Sequence, residues 1–302
     1  MRTSRHALPR VSIRAFPAWA PWFFIAPFLA VFCVFTLWPL GRSLVLSFQQ
    51  TYGPGTTEFV GFDNFEFMLR DPLFWKAARN TALFTCGSIF LQLPLALGLA
   101  LLLNRSGIRG RAFFRLVFFS PSLVGLVFVG MLFALVFEKR TGLVNYTLHA
   151  LIASFDPEFA WLQNYVLISL ILAALWLYIG LNMVYFLAAL QSVSRDLVEA
   201  ASIDGANAWQ RFRHIVLPEI LPVAGLVVLM SIIGSFQLFE LPWVLLNNTA
   251  GPDNRGLTLV MYLYQTGFLT GDLGYASAVG WVIALALAGI ALLHRRTMRR
   301  RE

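Results

Sequence analysis

The sequence predicts an all-α integral membrane protein of about six transmembrane helices. Its composition, the length of its apolar runs and the placement of its basic residues all point to this. Hydrophobic residues make up 58% of the 302 residues, charged residues only 13%, and the mean hydropathy is +0.71. Soluble domains are close to half apolar and about a quarter charged. So little charge cannot cover a water-soluble globule, which leaves a membrane protein.

The apolar runs are long enough to cross a bilayer, because a helix needs roughly 20 apolar residues to span about 30 Å of hydrocarbon. The first run follows four arginines, but it is too long for a signal peptide and lacks a small-residue cleavage pattern. We therefore interpret it as a retained span. The six predicted spans cover residues 19–40, 81–103, 117–137, 166–190, 221–246 and 276–293.

Basic residues set the predicted orientation, since cytoplasmic segments carry an excess of Lys and Arg. Sixteen of the 23 fall on the side that holds both termini. We therefore expect cytoplasmic tails at 1–18 and 294–302, a membrane domain over 19–293, and a cytoplasmic hairpin over 191–220. The net charge of +8 and the pI near 10.0 then reflect topology signals beside lipid headgroups, which disfavours a nucleic-acid partner.

Motifs for chemistry are missing from the sequence. There is no G-x-x-x-x-G-K-[ST], H-E-x-x-H, C-x-x-C or G-x-S-x-G, and the four histidines are scattered over loops and tails. Cys33 and Cys86 sit inside apolar runs, which is typical of small buried hydrophobic residues. We expect no metal, no cofactor and no catalytic residue, and an enzyme is disfavoured.

Two segments between spans predict small helices. The segment 41–80 has turn residues followed by Phe and Leu at helical spacing, which favours a short helix on the membrane surface. The segment "TGLVNYTLHALI" is a second short amphipathic element.

Few polar residues fall inside the predicted spans. Glu240 is the only charge well inside one, and Gln237 precedes it by three residues, on the same helical face. Pro242 should loosen the outer end of that helix. Glu240 is either a structural carboxylate, wetted from outside or paired with a base such as Arg42, or part of a substrate pathway.

Asn182 and Tyr185 form a weaker polar pair in the fourth predicted span. Packing within the bundle and a place on a substrate pathway both remain open for them.

The hairpin 191–220 has the marks of two short helices. Ser194 is a suitable N-cap, Asp196 suits the first turn, and Gly205 is placed where a left-handed residue ends a helix. Pro218 and Pro222 are expected to stop the second helix and start the next span. Such a hairpin is either a solvated connection or a surface for a partner, and its apolar stripe with small residues favours a partner.

One long pattern runs through this hairpin. Glu199-Ala200-Ala201, three residues, Gly205, nine residues, Ile215, one residue and Leu217-Pro218 together resemble the EAA loop of binding-protein-dependent ABC importers. "FVGFDNF", "DPLFWKAARNT", "RAFFRLVFFSP", "SFQLFELPWVLL" and "LTLVMYLYQTGF" are similar to sugar permeases of the maltose-importer type, and more to the first permease of the pair than to the second. Glu240 stands where that family often has Asp, and "NNTAGP" replaces its Gly-Gly-Pro loop, so the exact sugar stays open.

The resemblance implies a permease subunit of an ATP-driven carbohydrate importer in a bacterial cytoplasmic membrane. It implies a second homologous permease, two cytoplasmic ATP-binding subunits, an extracytoplasmic solute-binding protein, a disaccharide or other oligosaccharide as substrate, and lipid contacts. A glycerol-phosphate-type solute remains an alternative, although an acid in the pathway argues against a phosphate ester. The ATPase-coupling residues it implies are Glu199, Ala200, Ala201, Asp204, Gly205, Ile215, Leu217 and Pro218.

Two other classes stay open from the residues alone. A stand-alone secondary transporter of a small polar solute usually shows internal repeats and several ionisable residues within the membrane. This sequence shows neither feature. A membrane-embedded enzyme is the third class, and co-purification with an ATPase would separate the importer from both.

Overall fold

The computed structural model describes residues 19–51, 57–105 and 107–299. The predicted tail 1–18 and the last three residues lie outside this part. Contacts divide the chain into two compact units, one up to Val45 and the other from Leu46 on. The first unit is helical from Ala20, with a π turn at Cys33–Leu37, and the helix runs on to Leu46.

The prediction of an all-α membrane protein is confirmed. Within the described residues, five helices are long and apolar enough to cross a membrane, and a sixth segment qualifies if its two bent halves count as one. We number them spans 1 to 6 in chain order. Their bounds are Trp22–Leu46, Pro72–Asn104, Arg111–Leu123 with Leu126–Val136, Val166–Ser192, Ala208–Phe236 and Leu273–Met298.

Span 3 is bent by 101°, so the span predicted over 117–137 consists of two helices, Arg111–Leu123 and Leu126–Val136, rather than one continuous helix. Pro121 lies in the first turn of a 3₁₀ segment, Ser120–Leu123, and the backbone is extended at Val124 and Gly125 before the helix restarts. Proline lacks an N–H to continue the helical ladder. The Ser122 hydroxyl instead donates to the Phe119 carbonyl at 2.7 Å, which stabilises the end of the first half.

Span 5 also differs from its prediction of 221–246. The second half of the hairpin and the span form one run of helix from Ala208 to Phe236, through a π turn at Phe212–Val216. Pro218 and Pro222 therefore do not interrupt it. The Leu217 N–H reaches back five residues to the Phe212 carbonyl, and this shifted register tolerates a following residue without a donor.

The shorter elements follow the spans. Strand Gln49–Thr51 pairs antiparallel with Thr57–Phe59, with Gln50 opposite Glu58. Both short helices predicted between the spans are present, at Asp63–Arg70 and Leu143–Leu151. The remaining short helical segments are Trp161–Asn164, Arg195–Ile203, Glu240–Leu245, Pro252–Asn254, Leu259–Tyr264 and the π turn Gln265–Leu269.

Span 4 lies at the centre of the second unit, packed against spans 2, 3 and 5. Gly180 lets span 3 approach it closely, because a Cβ built on Gly180 would overlap the carbonyl of Phe118. Backbone in contact at this point cannot move aside as a flexible side chain could, so the crossing requires glycine.

Gly180→Ala is therefore expected to destabilise the protein by roughly 1–3 kcal/mol, the usual range for forcing extra atoms into a packed core. A thermal unfolding midpoint in detergent measures the effect. Gly98→Ala is the matched control, because Gly98 also lies in a span but a Cβ there meets nothing within 4 Å. Equal midpoints for the two variants would show that the crossing is looser than described.

Candidate functional site

The first helix of the hairpin, Arg195–Ile203, ends in a Schellman motif. Gly205 has a φ of +83°, as predicted, and its N–H donates to the Ser202 carbonyl at 3.2 Å. The next N–H, of Ala206, donates to the Ala201 carbonyl at 2.9 Å. These two bonds satisfy carbonyls that the helix end would leave open. Glycine accepts the left-handed conformation without a Cβ penalty, so Gly205 fixes the turn.

A capping box begins the second half of the hairpin. The Asn207 side chain accepts from the Gln210 N–H at 2.9 Å, and the Gln210 side chain accepts from the Asn207 N–H at 2.8 Å. Arg211 adds a bond from Nη1 to the Ala206 carbonyl at 2.7 Å. The Asn-x-x-Gln spacing is a sequence signal for this start, although the prediction of the hairpin did not use it. Both ends of the turn are therefore held by short, local hydrogen bonds.

Apolar side chains of the hairpin face outward. Leu197, Ile203 and Trp209 are 51%, 87% and 63% exposed. The first helix packs against the π turn at Phe212–Val216, so these side chains are presented by a rigid support that continues into span 5. Exposed apolar groups gathered on one small element are typical of an interaction surface.

The predicted coupling residues lie on two connected parts of this structure. Five are in the first helix and its turn, and three lie in or after the π turn at the start of span 5. Glu199 also lines a groove of about 630 Å³ between the hairpin and the ends of spans 2 and 4. Glu199, Ala200, Asp204, Gly205 and Pro218 are exposed, and Ala201, Ile215 and Leu217 are half-buried.

A second candidate site is a cavity of about 220 Å³ between spans 2, 4 and 5. Asn182 and Tyr185 both line it, so the weaker polar pair of the sequence faces an internal space. Asn182 is buried and Tyr185 is 47% exposed. Within the described residues, the lining includes no Lys, Arg, Asp or Glu. Its polar side chains are Ser88, Gln92, Tyr178, Asn182, Tyr185, Ser231 and Ser235.

One wall of this cavity is a π turn in span 2, at Ser88–Gln92. The Ser88 hydroxyl donates to Gln92 Oε1 at 3.2 Å, and both side chains are buried. A π turn widens a helix locally and is frequent at functional sites. Sequence reasoning missed these residues because a serine and a glutamine in an apolar run carry no charge to single them out.

Gln237 and Glu240 do not share a helical face, contrary to the prediction. The helix of span 5 ends at Phe236, the backbone leaves helical geometry through Phe239, and a new short helix begins at Glu240. Both side chains are exposed, and neither lines the cavity. Glu240 is close enough to Tyr178, which does line it, for an electrostatic interaction. The pathway role of the pair stays a prediction.

A buried carboxylate that the sequence reasoning missed lies at the opposite end of the unit from the hairpin. Asp71 accepts hydrogen bonds from the hydroxyls of Tyr262 and Tyr275, the latter at 2.9 Å, and its other oxygen caps span 2 through the Leu73 N–H at 2.8 Å. Burial, followed by the bond to Asp71, raises the pKa of Tyr262, so its phenol stays a donor. This cluster ties the starts of spans 2 and 6 to the segment between spans 5 and 6.

Comparison with known proteins settles the class. Residues 92–300, which include the hairpin and most of the cavity lining, match the family of binding-protein-dependent transport system inner membrane components. The chain belongs to this family.

Two curated relatives of this importer permease match over nearly its whole length. The arabinooligosaccharides transport system permease protein AraP of Bacillus subtilis (strain 168) is 39% identical, over 91% of this chain and 87% of its own. The lactose transport system permease protein LacF of Rhizobium radiobacter is 36% identical, over 93% and 94%. The resemblance to sugar importer permeases is therefore confirmed.

A solved structure has the same fold as this importer permease. A chain of a bacterial alginate ABC transporter, in complex with an alginate pentasaccharide-bound periplasmic protein, superposes with a TM-score of 0.81. It is 23% identical, and the match covers 93% of this chain and 94% of that one. At this identity the comparison bears on the fold alone, and it agrees with a multi-pass membrane permease.

Proposed function

We propose that this permease passes an uncharged disaccharide or oligosaccharide through the cavity between spans 2, 4 and 5. The observation that carries the proposal is the lining of that cavity by hydroxyl, phenol and amide groups, with no ionisable Lys, Arg, Asp or Glu among its described residues. Sugar hydroxyls are recognised by such neutral donors and acceptors. A phosphate ester would leave its charge unmatched in this space, which would cost free energy.

A second homologous permease would complete the site. Small-molecule pockets usually enclose about 300–1,000 Å³, and this cavity holds about 220 Å³. A partner subunit facing it would supply the missing wall. The names of the relatives support a sugar as the solute, since they refer to arabinooligosaccharides and lactose.

Two cytoplasmic ATP-binding subunits would supply the energy by docking on the hairpin. The sequence has no phosphate-binding loop of its own. The exposed side chains of Leu197, Ile203 and Trp209 offer a contact, and the continuous helix Ala208–Phe236 connects that contact to the cavity through Ser231 and Ser235. A movement of the hairpin would therefore shift one wall of the cavity. An extracytoplasmic solute-binding protein would deliver the sugar on the other side.

Reconstitution tests this function. The assembled importer in proteoliposomes, with its solute-binding protein, is expected to take up labelled oligosaccharide only when ATP is present on the side of the membrane that carries the ATP-binding subunits. Uptake of the same solute driven by an ion gradient without ATP would favour the secondary transporter instead. Uptake of glycerol 3-phosphate in place of a neutral sugar would contradict the substrate class.

The proposed orientation places both ends of the chain and the hairpin in the cytoplasm of a bacterium. A cysteine introduced at Thr297, an exposed position at the end of span 6, is expected to resist a membrane-impermeant maleimide in intact cells and to react after permeabilisation. A cysteine at Arg140, an exposed position between spans 3 and 4, is the positive control and should react from outside. Labelling of position 297 but not of position 140 in intact cells would show that the orientation is opposite to the proposed one.

A further inference from the structure

A groove of about 500 Å³ lies at the end of the unit opposite the hairpin, where spans 2 and 4 begin. Three basic side chains line it: Lys76 and Arg79 from span 2, and Arg255 from the segment between spans 5 and 6. The function proposed above uses none of them. We call this feature the cationic groove.

The parts of the cationic groove are held in fixed positions. Asn80, only 6% exposed, donates from Nδ2 to the carbonyls of Asn254 and Leu257, both at 3.0 Å. These bonds hold the segment that carries Arg255 against span 2. Arg255 in turn donates from Nη1 to the Gln163 carbonyl at 3.1 Å, just before span 4. Three segments distant in sequence therefore hold the groove together.

The groove carries an excess of positive charge. Arg255 approaches Asp253 at 3.5 Å, and both side chains are largely exposed. Neither Lys76 nor Arg79 forms an ion pair within the part of the chain that the structure describes. Two cations side by side on one helix face repel each other, and an anion bound between them would relieve that repulsion.

The wall below the charges is apolar and faces outward. Leu83 in span 2 and Ile168 in span 4 are 45% and 46% exposed, and Tyr165 at the start of span 4 is 47% exposed. Side chains such as Leu83 and Ile168, exposed on spanning helices, meet hydrocarbon, and tyrosine is enriched where a span meets the headgroups. Along span 2 the cations come one to two turns before Leu83, and along span 4 Tyr165 comes one turn before Ile168, so charge and ring lie nearer the ends of the spans than the aliphatic side chains.

We propose that the cationic groove binds an anionic phospholipid, with its phosphate between Lys76 and Arg79 and its acyl chains against Leu83 and Ile168. The order of charge, aromatic ring and aliphatic wall matches a lipid at its natural depth. A carboxylate from a soluble partner would use the cations but leave the apolar wall empty. A free phosphate would do the same. Basic residues near a lipid surface contribute about 1 kcal/mol each, or roughly a fivefold change in affinity.

Lipid retention by the assembled importer tests the proposal. We expect native mass spectrometry to show phosphatidylglycerol retained from nanodiscs that mix it with phosphatidylcholine. The double variant Lys76→Gln, Arg79→Gln should weaken its affinity by roughly 25-fold, through the loss of two charges. The charge-conserving pair Lys76→Arg, Arg79→Lys should retain it, and Arg140→Gln, an exposed base between spans 3 and 4 that is not in the groove, should have no effect.

Three results would overturn the proposal. One is equal retention of phosphatidylglycerol by the wild type and the Lys76→Gln, Arg79→Gln variant. Another is displacement of the lipid by inorganic phosphate alone at comparable concentration, which would identify a free-phosphate site. The third is a Lys76→Gln, Arg79→Gln variant that retains the lipid but whose ATP hydrolysis is no longer stimulated by the solute-binding protein. That result would show that the cations contact the solute-binding protein. Lipid retention and its displacement by phosphate do not depend on the transported solute, so failure of this proposal is distinguishable from failure of the proposed function.

Discussion

Gly205→Val is expected to reduce solute-stimulated ATP hydrolysis by roughly tenfold or more, while the chain still inserts and folds. The φ of +83° at this position is strained for a β-branched residue, at about 1–3 kcal/mol, and relieving the strain would open the Schellman motif that orients the hairpin. A Cβ at Gly205 meets no neighbour within 4 Å, so the expected cause is the backbone conformation rather than crowding around the added Cβ. ATPase assays in proteoliposomes measure the loss.

Gly107→Val is the matched control for that variant. Gly107 has a φ of +99° and also meets nothing within 4 Å, but it lies between spans 2 and 3 rather than in the hairpin. The two substitutions introduce similar strain on the same side of the membrane. If both reduced ATP hydrolysis equally, backbone strain rather than hairpin geometry would be responsible. Glu199→Lys should resemble Gly205→Val, since it reverses an exposed charge on the proposed contact.

Asn182→Leu is expected to lower sugar uptake by roughly ten- to a hundredfold without loss of assembled protein. Leucine is similar in size, but it removes the amide that faces the cavity, and a sugar hydroxyl left unpaired in a buried site costs about 1–3 kcal/mol. Uptake of labelled sugar, beside a thermal unfolding midpoint, separates a transport defect from a folding defect.

Gln237→Leu provides the comparison for Asn182→Leu, since Gln237 is exposed and outside the cavity. It should transport at close to the wild-type rate, and Glu240→Gln should show an intermediate effect through its interaction with Tyr178. A larger uptake defect from Gln237→Leu than from Asn182→Leu would show that the solute does not pass through the cavity.

Hydropathy and local signals were enough to predict much of this fold. The apolar runs located every membrane segment, because hydrocarbon thickness imposes a minimum length whatever the tertiary structure. The turn of the hairpin was also predictable, since Gly205 provides a left-handed helix end that few other residues accept. Hydropathy does not report direction, however, and span 3 is as apolar as a straight helix while bending by 101°.

The features that sequence reasoning missed depend on contacts between distant residues. Asp71 meets Tyr262 across 191 positions, and Asn80 meets Leu257 across 177. Contacts between residues so far apart in the sequence leave no periodic pattern that sequence reasoning could detect. The prolines of span 5 led to a wrong prediction of a helix end. The π turn just before Pro218 shifts the backbone hydrogen bonds by one residue, so the helix continues although Pro218 has no N–H to donate. A charge inside an apolar run drew attention to Glu240, whereas the cavity is lined by neutral residues.

The most direct test of the central claim, that the hairpin couples this permease to an ATP-binding subunit, is site-directed crosslinking from Ile203. This side chain is 87% exposed beside the turn, so a cysteine there should not disturb the fold. With Cys33 and Cys86 replaced by alanine, Ile203→Cys is expected to crosslink to the ATP-binding subunit, with a yield that changes when ATP is added. A wild-type level of ATP-dependent uptake with no crosslink from position 203, nor from a cysteine at Trp209, would contradict the account.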